Sequence, residues 1–294
     1  MRRNGGIRIR PAQTGDEREL GRVLQEAFTG IAERHGFATD FPSGEYAQGL
    51  AATLIAAPAY RGVVAEVRGR VGGTAFVNVA DPVRGIGPVA VAPEGQGRGV
   101  GRALMEAVME AGSGGAGLRL TQDGFNLASL TLYTSLGFEV KEPLVLRIGR
   151  PHGLEPAPGG ITVRRLRDDD IDACDELCRR VHGIERRAEL RLGLATGLPG
   201  YVAERDGRLV AYATTVALWQ RAHGVAETSE DLLGLLGGAA HNEPGPISLL
   251  CPTRDAALHA WCVEHKLRAV KPMNLMAHGD YQEPRGAWFP SVAY

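Results

Sequence analysis

The segment that decides the fold reads GPVAVAPEGQGRGVGRALMEAVMEAG and spans residues 87–112. It begins with a short apolar run, 89–92, which has the character of a β-strand and ends at a proline. It closes with apolar side chains at helical spacing, which are Leu104, Met105, Val108 and Met109. Between the two lies a loop with glycine at 95, 97, 99 and 101. The pattern therefore predicts a strand, a glycine-rich loop and a helix from about 100 to 111.

A glycine-rich loop that leads into a helix is suited to bind a phosphate or pyrophosphate. Glycine adopts backbone angles closed to other residues, and it lets main-chain amides approach a ligand closely. The first amides of a helix have no partner within the helix, and the helix dipole adds positive charge there. The Walker loop is excluded because no Gly-Lys-Ser/Thr follows the glycines. The dinucleotide motif G-x-G-x-x-G is also excluded, because the spacing here is G-x-G-x-G and several elements precede it.

The composition is that of an ordinary globular protein of two domains. The chain has 294 residues, of which 44% are hydrophobic and 23% charged, and its formal net charge is -1. A near-neutral chain without a basic stripe is not expected to bind nucleic acid. The basic start carries no signal-peptide core, and no apolar run is long enough for a membrane span. Four cysteines, all in the second half, indicate reduced thiols and a cytoplasmic protein.

The chain contains an internal repeat of about half its length. A shift of 154 positions places Leu20, Val23 and Leu24 on Cys174, Leu177 and Cys178. The strand–turn–strand pattern VVAEVRGRVGGTAF (63–76) resembles YVAERDGRLVAYAT (201–214), and LYTSLGFEVKEPLVL (132–146) aligns with WCVEHKLRAVKPMNL (261–275). Three matches in the same order predict that one fold occurs twice.

A run rich in proline and glycine, GRPHGLEPAPGG (149–160), separates the two repeats and predicts the linker. We therefore expect one domain at 1–150 and another at 159–294. In the first we expect a strand at 7–10, helices at 16–28 and 45–56, strands at 61–67, 71–79 and 86–92, then a strand at 117–122, a helix at 126–136 and closing strands at 138–148. This order is mixed α/β around a central sheet.

Two motifs of the first half resemble the GNAT superfamily of N-acetyltransferases. Residues 96–101, QGRGVG, resemble its acetyl-CoA motif Q/R-x-x-G-x-G/A. Asn126, Leu132-Tyr133 and Leu136-Gly137-Phe138 resemble the N…LY…LGF segment of the same family. The resemblance covers the first half and implies an α/β fold of two tandem GNAT-like domains, each with a mixed, mostly antiparallel central sheet flanked by helices.

The resemblance also implies acetyl-CoA as the acyl donor, with no metal. Main-chain amides of the glycine loop, helped by two arginines, would hold the pyrophosphate. The strand before the loop would pair with the pantetheine arm, and one of its amides would bind the thioester oxygen. The cofactor-binding residues would be Val89, Val91, Gln96, Gly97, Arg98, Gly99, Val100, Gly101 and Arg102.

Catalytic roles are implied for Tyr133 and Asn126. Tyr133 would protonate the departing thiolate, since a phenol remains protonated at neutral pH. Asn126 would hydrogen-bond the pantetheine arm or a water. The reaction implied is transfer of an acetyl group to the primary amine of a small molecule or peptide, by direct attack in a ternary complex. A CoA-binding sensor without catalysis, and an acyltransferase for longer acyl chains, remain alternatives.

The chain departs from the family pattern at the strand that leads to the loop. Many members carry a carboxylate there as general base, whereas residues 86–89 read IGPV. The open candidates for the base are Asp81, Asp123, Glu33, Asp40 and His35. A further hypothesis is the terminal carboxylate of Tyr294, because the apolar end GAWFPSVAY (286–294) is typical of a docked terminus.

The second half departs further. Its counterpart of the loop reads HGVAETSEDLLGLLGG (223–238), in which Glu227, Glu230 and Asp231 would repel a pyrophosphate. Cys262 stands at the position of Tyr133. The second half is therefore predicted to keep the fold without the cofactor. It would line the acceptor pocket or form an oligomer interface, with a homodimer as the simplest assembly.

Overall fold

A computed structural model describes residues 3–4, 6–154 and 160–292. The first half contains, in chain order, β1 (Arg3–Asn4), β2 (Ile7–Pro11), α1 (Glu17–Arg34), α2 (Gly44–Ala56), β3 (Tyr60–Val67), β4 (Arg70–Asn78), β5 (Val83–Val91), α3 (Val100–Ala111), β6 (Gly117–Asp123), α4 (Leu127–Ser135) and β7 (Glu139–Gly149). The second half contains β8 (Thr162–Arg165), α5 (Ile171–His182), α6 (Arg187–Ala195), β9 (Tyr201–Arg205), β10 (Arg208–Ala213), β11 (Gly224–Ala226), α7 (Ser229–Asn242), β12 (Ile247–Pro252), α8 (Ala256–Glu264), β13 (Arg268–Gly279) and β14 (Ala287–Phe289). None of these helices combines the length and apolar character needed to cross a bilayer.

The first helix of each half buries the side chains that the repeat aligns. On α1 these are Leu20, Val23 and Leu24, and on α5 they are Cys174, Leu177 and Cys178. Their spacing places them on one face of a helix, which packs against a sheet. Helix α1 runs to Arg34, beyond the predicted end at 28, so the helix continues through Gly30 and ends just before Gly36.

The hairpin of each half turns at equivalent positions. Strands β3 and β4 turn at Arg68-Gly69, and β9 and β10 turn at Asp206-Gly207. All four residues have positive φ, from 51° to 78°. A two-residue turn in which both residues have positive φ matches the right-handed twist of the flanking strands. Glycine adopts positive φ without steric cost, which explains why it recurs at the second position.

The two halves share one sheet by exchanging strands. A nine-stranded sheet has the order β1-β2-β3-β4-β5-β6-β13-β7-β12, and a five-stranded sheet has the order β14-β11-β10-β9-β8. Strand β13 of the second half lies between β6 and β7 of the first, and β7 lies between β13 and β12 of the second. Strands from both sides of the expected linker are therefore hydrogen-bonded in one sheet, and the sheet does not end at the boundary between the halves. Apart from the parallel pair β5–β6, all strand pairs among the described residues are antiparallel.

Candidate active site

Strands β5 and β6 separate in the middle of the nine-stranded sheet. They pair only where Val83–Gly85 lies beside Gly117–Arg119. Beyond that point β5 remains paired with β4, and β6 remains paired with β13. A gap therefore opens between the second part of β5 and the second part of β6.

The main chain of β5 presents free hydrogen-bonding groups to this gap. The amide of Ala92, directly after β5, donates to the carbonyl oxygen of Gly72 in β4 at 3.0 Å. Peptide groups alternate in direction along a strand, so the amides of Val91 and Val89 point away from β4 and into the gap. The edge of β5 can thus pair with an extended ligand as a strand would.

The glycine-rich loop has the geometry that the sequence suggests. Gly97 and Gly99 adopt φ of 72° and 83°, in the left-handed region, and α3 begins directly after Gly99. A Cβ atom added to either glycine would meet no other atom within 4 Å, so the loop is open above both positions. The first hydrogen bond of the helix runs from the Ala103 amide to the Gly99 carbonyl at 3.1 Å. The amides before it, at 100–102, have no partner in the helix and can bind an anion.

Gln96 and the two arginines have different surroundings. The Gln96 amide donates to the carbonyl of Pro93 at 3.3 Å, and its side-chain Nε2 donates to the carbonyl of Val91 at 3.0 Å. Gln96 therefore closes the loop onto β5, and its main-chain amide is hydrogen-bonded within the loop. Arg102 donates to Ser135 Oγ at 2.6 Å, whereas Arg98 lies exposed on the loop.

Tyr133 lies on α4 and faces the gap. Its side chain is 8% exposed, and its ring centroid is 6.2 Å from that of Phe138. Burial, and after it the nearby charge of Asp123, raise the pKa of the phenol. The hydroxyl consequently stays protonated throughout the neutral range, as a proton donor requires.

Asn126 begins helix α4 as its N-cap. Its side-chain oxygen accepts a hydrogen bond from the Ser129 amide at 3.2 Å, and its carbonyl accepts one from Gln122 Nε2 at 2.8 Å. The residue also borders the cavity beside Tyr133. Its side-chain oxygen is engaged by the cap, and its amide nitrogen supplies N–H groups that can donate to a ligand.

The gap leads into a cavity of about 280 Å³ that both halves line. The first half contributes the strand gap and the aromatic side chains Phe28, Phe41, Tyr46, Tyr60 and Tyr133. The second half contributes Leu218–Arg221 from the loop before β11, Met273 from β13, and Val292 near the end of the chain. Of these second-half residues, the sequence pointed only to the apolar chain end that contains Val292, because no motif distinguishes the others.

Two of the five candidate bases border the cavity, namely Asp40 and Asp123. Both form ion pairs with Lys271 of β13, at 2.7 Å each. Asp81 lies elsewhere and accepts hydrogen bonds from the amides of Ala188 and Glu189, at 2.9 and 3.0 Å.

The remaining candidates lie outside the cavity lining. The His35 ring packs 5.4 Å from the ring of Phe125, and Glu33 is exposed. Tyr294 falls outside the described residues, although Val292 reaches the cavity and its amide donates to the carbonyl of Gln220 at 3.1 Å.

In the second half the equivalent gap is filled by the chain itself. Strand β14 pairs with β11 through Phe289, Trp288 and Ala287, along the edge that corresponds to the open edge of β5. Helix α7, which stands at the position of α3, is capped by Thr228, whose Oγ1 accepts a hydrogen bond from the Asp231 amide at 3.2 Å. The second half therefore lacks, among the described residues, the open strand edge and the glycine-rich loop that the first half presents.

The cysteine at the position of Tyr133 also lacks the surroundings of a catalytic group. Cys262 is buried, and its Sγ lies 3.8 Å from that of Cys251. The pair packs inside the core of the second half.

Comparison with known proteins agrees with this geometry. Residues 58–140 match the family model for the acetyltransferase (GNAT) domain. A curated relative, mycothiol acetyltransferase of Tsukamurella paurometabola, is 44% identical over 82 residues, which cover 26% of this chain and 28% of that protein. The match thus spans little more than a quarter of the relative's length.

Solved structures match over almost the whole chain. A candidate acetyltransferase from Pyrococcus horikoshii is similar with a TM-score of 0.75 at 16% identity, covering 100% of this chain and 97% of the other. A tandem GNAT protein from the clavulanic acid biosynthesis pathway has a TM-score of 0.59 at 16% identity, covering 96% and 99%. The family match identifies residues 58–140 as a GNAT acetyltransferase domain, and the chain as a whole shares the fold of these structures, one of which is a tandem GNAT protein.

Proposed function

We propose that the protein is an N-acetyltransferase that moves an acetyl group from acetyl-CoA to a primary amine by direct attack. The observation that carries the proposal is the open edge of β5, which connects the unpaired amides of α3 to the cavity below Tyr133. An extended ligand with a diphosphate at one end and a thioester at the other has the shape and charge that such a groove requires. The catalytic unit would be 1–150, and 159–294 would complete the acceptor pocket.

In this proposal the loop and the start of α3 hold the pyrophosphate. Amides at 97–102 donate to its oxygens, and the side chains of Arg98 and Arg102 add charge-assisted contacts. The small residue Gly101 lets α3 lie close to α4, because a Cβ there would stand 3.2 Å from Leu132. Gln96 supports the loop from below through its bond to Val91.

The pantetheine arm would pair with β5 through Val89, and the Val91 amide would donate to the thioester oxygen. That oxygen gains negative charge when the amine attacks, so a fixed donor stabilises the transition state more than the ground state. Tyr133 would then protonate the departing sulfur. Positioning the amine beside the thioester in one complex supplies much of the remaining acceleration.

Thiol release measured with a panel of primary amines and acyl-CoA donors tests the proposal. We expect release from acetyl-CoA that depends on the amine, together with an N-acetylated product seen by mass spectrometry. Binding of acetyl-CoA without release by any amine would favour the sensor, and a preference for long-chain donors would favour the other acyltransferase. Either result would contradict the acetyl transfer proposed here.

A further inference from the structure

Three charged side chains from both halves meet at the wall of the cavity. Lys271 of β13 donates to both carboxylate oxygens of Asp40, at 2.8 and 2.7 Å, and lies 2.7 Å from Oδ1 of Asp123. The side chains are 2%, 16% and 10% exposed for Lys271, Asp40 and Asp123. The Lys271 ammonium also lies 5.0 Å from the centre of the Trp219 ring.

This cluster carries a net charge of -1 when all three groups are ionised. Its surroundings are mainly aromatic and aliphatic, including Phe41 and Leu50. An unbalanced charge is costly in such a place, and a second cation is the simplest group to balance it. Primary amines are cations at neutral pH. The cavity is therefore suited to receive an amine as its ammonium ion.

We propose that Asp40 and Asp123, held in place by Lys271, bind the ammonium group of the acceptor and that Asp40 then accepts its proton. The inference rests on the proposed acetyl transfer and assigns the general base that the strand before the loop lacks. It also assigns the class of acceptor, a small primary amine with an apolar or aromatic body. Such a body fits a cavity of about 280 Å³ whose lining includes several aromatic rings.

Asp40 is better suited to take the proton than an exposed carboxylate would be. Burial raises its pKa, Lys271 opposes that effect, and the charge of Asp123 adds to it. The other titratable side chains around the cavity are Tyr46, Tyr60, Tyr133 and Arg221. In its ionised form, a carboxylate with a raised pKa is a stronger base than an exposed one and removes a proton more readily.

The proton balance of the reaction is complete with these groups. The amine enters as an ammonium ion and gives one proton to the Asp40 carboxylate. Its lone pair then forms the C–N bond, and the carbonyl electron pair moves onto the oxygen beside the Val91 amide. The C–S bond breaks as that carbonyl forms again, and Tyr133 gives its proton to the sulfur. The second amine proton restores Tyr133, and the proton on Asp40 leaves to solvent.

A binding experiment tests the capture of the cation without any need for turnover. The probe is 2-phenylethylamine, and 2-phenylethanol is its neutral counterpart of similar shape. Calorimetric titration at pH 7 should show that the amine binds about tenfold or more tighter than the alcohol. A hydrogen bond between charged groups contributes a free energy of this size. Asp40→Asn should remove most of that difference. Equal affinity for the two compounds, or binding of neither, would overturn the proposal.

The dependence of kcat/KM on pH tests the proton transfer. With the most reactive amine of the panel, the wild-type rate should rise through the pKa of Asp40 and then remain level. In Asp40→Asn it should instead rise about tenfold per pH unit between pH 7 and 9, following the free amine. In Lys271→Met the rise should move to higher pH, because the ammonium that lowers the pKa of Asp40 is gone.

Asp81→Asn is the matched control, because Asp81 is also a buried carboxyl with a raised pKa but lies away from the cavity. It should keep the wild-type pH profile. A profile of unchanged shape in Asp40→Asn, with rates lowered equally at every pH, would show a structural role and refute the assignment. If no amine releases thiol from the wild type, the proposed function fails, whereas the binding experiment still decides the capture of the cation.

Discussion

Replacement of Gly99 by glutamate tests the placement of the pyrophosphate. Gly99 precedes α3 with φ of 83°, and no atom lies within 4 Å of the position that a Cβ would take. The Cβ of the new side chain therefore meets no steric obstacle. The left-handed conformation lowers the free energy of unfolding by about 1–2 kcal/mol. A stable domain tolerates such a loss without unfolding.

The loss of affinity can be estimated from charge. A carboxylate on residue 99 would stand roughly 5 Å from the diphosphate, and each pair of unit charges at that distance costs about 1.7 kcal/mol at an effective dielectric constant of roughly 40. Two such pairs give about 3 kcal/mol, which corresponds to a loss of about 100-fold in affinity for CoA. Gly99→Ala adds no charge, and its affinity should remain within about threefold of the wild type because the strain is present with and without ligand.

Calorimetric titration with CoA measures these affinities, and urea unfolding confirms that the variants are folded. The matched control is Gly197→Glu, since Gly197 has φ of 72° and open space around it but follows α6 in the second half. It carries the same charge and the same backbone strain, and it should bind CoA as the wild type does. Wild-type affinity in a folded Gly99→Glu variant would refute the reasoning.

Three other outcomes follow from the same geometry. Tyr133→Phe should lower kcat by about 100-fold or more while changing CoA affinity little, and unimpaired turnover would remove its role as acid. Calorimetry should find one CoA per chain, because β14 covers the edge of β11; two equal sites would contradict this. Gly224→Ala should destabilise the protein to urea by about 1–3 kcal/mol, because its Cβ would lie 2.3 Å from the Phe289 ring. Gly237→Ala, in an open position on α7, should be neutral or stabilising by about 0.5–1 kcal/mol, and equal effects of the two changes would refute the packing argument.

Much of the fold could be predicted from the sequence because its signals are local. The spacing of Leu20, Val23 and Leu24 reports the buried face of α1, and the dipeptide Arg68-Gly69 marks the hairpin turn. Helix α3 was predicted at 100–111, which are its bounds in the structure. Each of these features depends on residues that are neighbours in the sequence, so periodicity and turn chemistry are sufficient.

The exchange of strands could not be predicted in this way. The alternation of side chains along β7 and β13 shows that each is a strand, but a strand of the same pattern pairs equally well with a partner from either half. The choice depends on contacts between residues more than a hundred positions apart, such as Leu144 opposite Met273. A single sequence contains no direct record of such a pairing.

The same limit applies to the site. The glycine loop and Tyr133 lie in motifs, so their roles could be inferred from the sequence, and these roles remain proposals. Lys271 belongs to no motif, and its meeting with Asp40 follows from the position of β13. Asp40 was only one of five candidates until the cavity and the ion pair distinguished it. Residues that converge through tertiary structure carry no local signal.

The strand exchange also makes the proposed site of the first half depend on the second half. Among the described residues, the neighbours of β7 in the sheet are β13 and β12, both from the second half. Without that half, β7 would have no partner, and β6 would expose an unpaired edge beside the gap. Lys271 would be lost with β13, leaving Asp40 and Asp123 as two carboxylates without a cation between them. The second half therefore cannot be removed without dismantling the sheet on which the proposed site of the first half is built.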